Sequence, residues 1–568
     1  MTFPAWWPNH IQAAIPLAEV KDWTYDVDVV VVGYGGAGVC AALEAANNGL
    51  SVVALDRSRG GGATAINGGV YYAGGGTKTQ IDAGVADTAE AMFNYLKIEV
   101  DGVVSDETLR RFCDQSVPDH DWLVEHGVGF KPILYAKKTS YPPTEYYLYH
   151  SDSSLAKRYA DVVPPAARGH RVDMEAGRAA VGYGRAFYQP LREAAKAAGV
   201  QDLTETVVEA LVTDETGTVC GVRARRIPEG HKARETWRQL NKKIIKMSSV
   251  PRTWPGASWF DAQVIKLSAK AMDLLKSEGE TVFLRARKGV VIAAGGHIFN
   301  RDMVRQFSPD YIKGLPLGTP ADDGSGVALG VTAGGAMTGM ERISAWRFIN
   351  PPYSWAKGPL VNSDGDRFID ETLYGAAIGK AMCEGRDGKA WIILDRDLAK
   401  IAKTEATAKE VLDFQKWPAL MAMLLGRKKA STLEGLAKAL GVPAERLTKT
   451  IEVHNSVARG EQSDPFDKRN TDSAQILKGP FYAVNVSSDA ALFPLPTLSL
   501  GGLSVDEETG QVKAADGRPV AGLFAAGRSA LGVCSNIYVS GLSVADCVFS
   551  GRRAGKSIAA QSSSSKAA

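Results

Sequence analysis

A chain of 568 residues, 45% hydrophobic and 23% charged, has the composition of a globular enzyme and room for up to about four domains. Its net charge of +3 is too small to point to nucleic acid. The six cysteines are scattered without a CxxC, which argues against a disulfide framework and a metal site and fits a reducing compartment. The first twenty residues lack a basic region ahead of an apolar core, so no secretory signal is expected. No run reaches the roughly 18 apolar residues that would span a bilayer. A cytoplasmic α/β protein is the expectation.

The segment from Tyr25 to Ser58 organises the rest. Val29 to Val32 form a short β-branched run, as in a strand buried on both faces of a parallel sheet. It enters Gly33-Tyr34-Gly35-Gly36-Ala37-Gly38, a GxGxxG, followed by an alanine-rich helical pattern and a second strand ending on Asp56. In such a unit Gly33 permits the tight turn, Gly35 lets a pyrophosphate reach bare backbone, and Gly38 lets helix pack on strand. Asp56, 18 residues after Gly38, stands near the spacing at which an acid accepts ribose hydroxyls. Strand, turn, helix, strand and acid together predict a dinucleotide site.

Further along, residues 60–77 (GGGATAINGGVYYAGGGT) hold more glycine than a plain loop requires. Residues 85–130 read as helices, one starting at Ser105. The tyrosine-rich stretch from Tyr135 to Tyr149 suggests no fold. A helix is expected over 184–200, then a hairpin turning near Thr216-Gly217. From 231 to 276, ten Lys/Arg stand against three Asp/Glu. Trp237, Leu240, Ile244, Ile245 and Met247 recur there at near-helical spacing, with Trp254, Trp259 and Phe260 close by. That pattern predicts a basic amphipathic insertion, about 227–283, lying in a membrane interface; the alternative is a Lys-rich hairpin packed on its own domain. The chain then returns to a buried strand at 290–296, a polar loop at Asp322 to Gly326, mixed strands and helices, and a strand-glycine-helix run from 522 to 555. A helix there would aim its N-terminus at developing negative charge. The expected boundaries are a nucleotide-binding domain over 1–300 that resumes over 489–557, an inserted α+β capping domain over 301–488, and a disordered tail over 558–568.

Five segments carry a resemblance: VVVVGYGGAGVCAA, GGATAINGGVYYAGGGT, RFIDETLYGAAIG, LSLGGLSV and the run from Gly522 to Gly555. Together they resemble the FAD-dependent 3-ketosteroid dehydrogenases of the fumarate-reductase-like flavoprotein class, on the 3-oxosteroid Δ4-(5α) branch. The resemblance implies a Rossmann-type domain binding FAD. The cofactor is expected to be non-covalent, because the glycine-rich segment lacks the histidine that bonds flavin in some relatives. The implied FAD contacts are Gly33, Gly35, Gly36, Ala37 and Gly38 at the turn, with Asp56 and Arg57 after the second strand. Gly62, Ala63, Thr64, Asn67, Gly68 and Gly69 follow in the glycine-rich loop, then Val208, Ala294, Gly295 and Asp323. Gly527, Arg528, Gly541, Leu542 and Ser543 complete the set.

The resemblance also implies a catalytic trio. Tyr538 and Ser540 precede the last helix, and residues i and i+2 of an extended segment share a face; Tyr374 comes from the inserted domain. In the implied chemistry Tyr538 holds the 3-keto oxygen of a hydrophobic steroid. Ser540, relayed through Tyr374, removes a proton from carbon 4, and carbon 5 delivers hydride to the flavin. The Δ1 branch carries a glycine four residues after its tyrosine; here that position is Leu542 and the glycine is Gly541. Three other readings stay open: a Δ1-dehydrogenase, a flavin-bearing scaffold without turnover, and a fumarate-reductase-like enoate reductase, for which no clear dicarboxylate motif is present although Arg347 and Arg367 lie in the inserted domain. The protein is expected on the inner face of a membrane through 231–276. The external electron acceptor leaves no signature.

Overall fold

A computed structural model of the chain describes residues 4–174, 183–248 and 257–564; Trp254 and the last four residues lie outside them. Strand β1 (Tyr25–Val32) carries the valine run, whose Val29, Val30 and Val31 are fully buried. The chain turns at Gly33 into α1 (Gly36–Asn47) and then β2 (Val52–Asp56), which pairs parallel to β1 from Val29↔Val52 to Val32↔Leu55. The tyrosine-rich stretch supplies β3 (Leu148–Tyr149), held in a small four-stranded sheet.

Next come β4 (Gln201–Thr204), parallel to β2, and the hairpin β5 (Thr206–Thr213) and β6 (Val219–Arg226). Asp214 Oδ1 accepts from the N–H groups of Thr216 and Thr218 and so closes the expected turn. The insertion follows as two helices, α2 (Ala233–Ser248) and α3 (Ala257–Glu278), before β7 (Glu280–Ile292). Arg226 of β6 pairs with Glu280 of β7, so the helical hairpin grows from the end of an antiparallel ladder. The second half of β7 crosses to lie parallel between β1 and a last strand.

The capping region contributes a four-stranded sheet built on residues 391–394 and helix α4 (Gly375–Cys383). The chain then re-enters the large sheet through β8 (Pro519–Ala525), where Val290 of β7 faces both Val30 and Leu523. These strands belong to one nine-stranded mixed sheet, so segments near both termini share one sheet. Helix α5 (Leu542–Ser564) closes the fold against α1. A Cβ at Gly551 would stand 2.4 Å from Ala37 O, so the two helices touch backbone to backbone.

Two expectations change. The tail was placed in disorder from 558, but α5 continues to Ser564 with Ile558 fully buried, because its apolar face still has core to cover. The apolar stripe of the insertion does not face outward. Trp237, Leu240 and Ile244 are buried against Leu275 of α3 and Val207 of β5, so most of the insertion's apolar surface is used in its own packing. Trp259 and Ile265 stay exposed.

Candidate active site

One cavity of about 2890 Å³ runs from the α1 turn to Tyr538. That is several times the roughly 300–1,000 Å³ of a pocket for a single small ligand, so a dinucleotide and a second ligand fit side by side.

At its nucleotide end the cavity is walled by backbone. A Cβ on Gly33 would meet Ala293 O at 2.5 Å and one on Gly38 would meet Gly33 O at 1.9 Å, so strand and helix pack at glycine distance. A Cβ on Gly35 would meet nothing nearer than Gly61 O at 3.8 Å, which leaves its bare backbone facing open space. The N–H of Gly36 is steadied by Thr64 Oγ1 at 3.2 Å. Asp56 takes the N–H of Tyr34 on Oδ2 and that of Ser58 on Oδ1, keeping acceptor capacity for a ribose. Arg57 pairs with Asp323 at 2.6 Å, and Arg528 Nη2 donates to Asp322 while its buried Nη1 has no partner. A helix N-terminus, bare glycine backbone, a waiting carboxylate and an unmatched guanidinium donor are what the anionic, hydrogen-bonding FAD requires. The residues fit it.

Most of the sequence-expected cofactor positions line this cavity, including Ala37, Gly62, Ala63, Asn67, Gly68, Val208, Ala294, Gly295, Gly527 and Ser543. Four act from behind it. Gly38 packs α1 on β1, Gly69 packs on Tyr183, Leu542 is buried in the core, and Gly541 sits at a φ of +91° beside Tyr72.

The other end is hydroxyl and aromatic. The ring of Tyr538 stacks on Trp346 at 4.6 Å, and the Gly541 N–H donates to its Oη at 3.4 Å. Burial pushes the Tyr538 phenol up to about 12. Ser540 is fixed by its N–H to Ser151 O at 3.0 Å, while Ser151 Oγ donates to Ser540 O at 3.1 Å. Its hydroxyl receives Tyr149 OH at 3.0 Å, and the Tyr374 phenol lies near enough for the serine to influence its ionisation. Burial raises both of those phenols, and Ser540 works against the rise. Tyr374 lies at the start of α4, and its N–H donates to Ser153 Oγ at 2.9 Å. The structure thus brings Tyr374, Tyr538 and Ser540 together from segments far apart in the chain.

Tyr149 was missed. The available signal was a second Tyr-x-Ser: Tyr149-His150-Ser151 lies against Tyr538-Val539-Ser540 and binds its serine from both backbone and side chain. The two arginines considered for a dicarboxylate are committed elsewhere. Arg347 donates to the carbonyls of Phe493 and Ser487. Arg367 forms a buried pair with Glu371 and another with Asp464.

The profile of the family described as FAD binding domain matches residues 28–541. A 3-oxo-5-alpha-steroid 4-dehydrogenase from Comamonas testosteroni is 36% identical over 91% of this chain and 97% of that protein. A 3-oxosteroid 1-dehydrogenase from Mycolicibacterium smegmatis is 26% identical over 90% of this chain and 93% of its own. The crystal structure of the 3-ketosteroid-delta4-(5alpha)-dehydrogenase from Rhodococcus jostii RHA1, in complex with 4-androstene-3,17-dione, superposes with a TM-score of 0.78 at 29% identity. It covers 96% of this chain and 100% of that one. The chain belongs to the FAD-binding-domain flavoproteins. Within them it is a member of the FAD-dependent 3-ketosteroid dehydrogenase family, an oxidoreductase acting on CH–CH groups.

Proposed function

We propose that the protein introduces the C4–C5 double bond into 3-oxo-5α-steroids. The observation that carries this is Ser540 held between two buried phenols, with the Tyr538 hydroxyl on the same cavity wall. FAD, when bound, supplies the two-electron acceptor for the carbon 5 hydride. Tyr538 donates to the 3-keto oxygen while the Gly541 N–H donates to the phenol oxygen, and that grip acidifies carbon 4. The Trp346 ring holds the phenol in place. A lone serine is a poor base. Ser540 Oγ takes the carbon 4 proton as its own proton passes to Tyr374 or Tyr149 in ionised form, and positioned acid–base groups contribute about 10²–10⁴ in rate. The commitment of Arg347 and Arg367 to structural bonds weighs against a dicarboxylate substrate.

The test is anaerobic reduction with a 3-oxo-5α-steroid, its 5β epimer and fumarate, followed by product identification. Bleaching by the 5α substrate with a 4-ene product is expected. A 1-ene product, or turnover of fumarate alone, would sink the assignment.

We also propose that the insertion touches an anionic membrane on its cytoplasmic side. The support is the excess of lysine and arginine together with Trp259, which is 56% exposed and packed edge-on to Phe260 at 5.0 Å. No described helix is long and apolar enough to cross a membrane. Flotation with anionic vesicles should be lost in Trp259→Ser; equal flotation would exclude the contact.

A further inference from the structure

The insertion does not stand clear of the cofactor. Ile265, Ser268, Met272 and Lys276 recur every three to four residues along α3, and all of them line the FAD cavity. They therefore form a single stripe of the helix. Ile265, 70% exposed, is open to that cavity. From α2, Lys242 joins the same wall.

The hairpin is also fastened at the nucleotide end. Glu205, between β4 and β5, gives its N–H to Ser58 O at 2.7 Å, two residues beyond Asp56. Its carboxylate takes Arg234 and Arg238 of α2, each at 2.6 Å, with Arg59 of the glycine loop at 3.9 Å. Val207 of β5 packs in the hairpin core and, with its neighbour Val208, lines the cavity. At the far end of α3, Lys276 lines the same cavity as His10, Arg57 and Asp323. The hairpin is thus fastened to the nucleotide wall through Glu205.

We propose that the α2–α3 hairpin is a clamp on the adenosine diphosphate half of FAD. The apolar part of its stripe covers the adenine, and Lys276 supplies positive charge at the ribose–phosphate edge. This rests on FAD binding and adds to it a wall that the glycine turn and Asp56 do not provide. One open cavity has the glycine turn on one wall and the hairpin on another, and Ile265 is an exposed apolar side chain on that second wall.

The experiment measures FAD dissociation by recovery of free-flavin fluorescence from the purified holoenzyme. The double variant Ile265→Glu/Lys276→Glu changes two exposed side chains and should fold. Its dissociation rate should rise at least tenfold with the apoprotein's thermal midpoint unchanged. Trp259→Ser, off the cavity wall, should release FAD as the wild type does. A second variant joins Arg226 to Glu280 by a two-residue turn, and ADP should stabilise the wild-type apoprotein but not this one. Release within twofold of wild type in the double variant, release from Trp259→Ser as fast as from the double variant, or undiminished stabilisation of the shortened variant by ADP would overturn the clamp. A wild type that takes up no FAD would instead overturn the cofactor assignment itself.

Discussion

At the α1 turn the cavity presents backbone, and glycines decide what can approach. At Ser540 it presents hydroxyl groups on rings and a serine brought in by three separate segments. The nucleotide end tolerates almost no added atom but asks little of side-chain chemistry. The ketone end is the reverse: Trp346, Phe348 and Leu498 make its wall apolar, while the proposed reaction rests on single oxygen atoms. A substitution at the first end should therefore remove the cofactor, and one at the second should remove turnover and leave the colour.

The largest effect is expected at Gly38. Gly38→Val places a Cβ at 1.9 Å from Gly33 O, so the protein should purify without flavin absorbance. A yellow Gly38→Val would break the contrast. Tyr538→Phe should lower kcat by about 10²–10⁴ with flavin content unchanged. Loss of flavin in that variant would show that the ends are not separable. Tyr149→Phe should cost about tenfold, the value of one hydrogen bond of roughly 1–1.5 kcal/mol, because Tyr374 still holds Ser540. The Tyr149→Phe/Tyr374→Phe pair should fall to the level of Ser540→Ala, a coupling that independent roles would not produce. The pH profile sharpens this further. Both relay phenols are raised by burial, so a base that depends on their ionisation gives a kcat still climbing at pH 10, near where a free phenol titrates (about 10). Tyr538 stays protonated until about 12 and imposes no earlier fall.

The same contrast governs what could be read beforehand. The nucleotide end is contiguous: valine run, glycine turn, helix and Asp56 lie within one stretch, and each constraint acts on the residue that shows it. The trio Tyr374, Ser540 and Tyr538 was legible only through its resemblance to a family, since Tyr-x-Ser alone carries no direction. Tyr149 was hidden because its partner is 391 residues away. What covers the insertion's buried stripe could not be read, for a physical reason. A 3.6-residue apolar stripe specifies that a helix face is covered without specifying by what, and here Leu275 and Val207 cover it.

A last effect, on stability and not on turnover, concerns how the ketone end is held. Glu371, three residues before Tyr374, accepts from Arg367, Lys468 and the Leu360 N–H, each at 2.8 Å. Burial opposes its ionisation, but Lys468 and Arg367 outweigh that and lower it from 4.5 to about 2. A carboxyl depressed on folding stabilises the native state fully above its unfolded value, and that contribution disappears as pH falls from about 4.5 to 2. Glu371→Gln removes the linkage and leaves two buried cations short of a partner, a loss of about 3–5 kcal/mol near neutrality. The thermal midpoint of the wild type should thus converge on that of Glu371→Gln as the pH is lowered through this window. A gap that stays constant down to pH 2 would mean that Glu371 is not ionised in the folded protein, and that Tyr374 is positioned by packing alone.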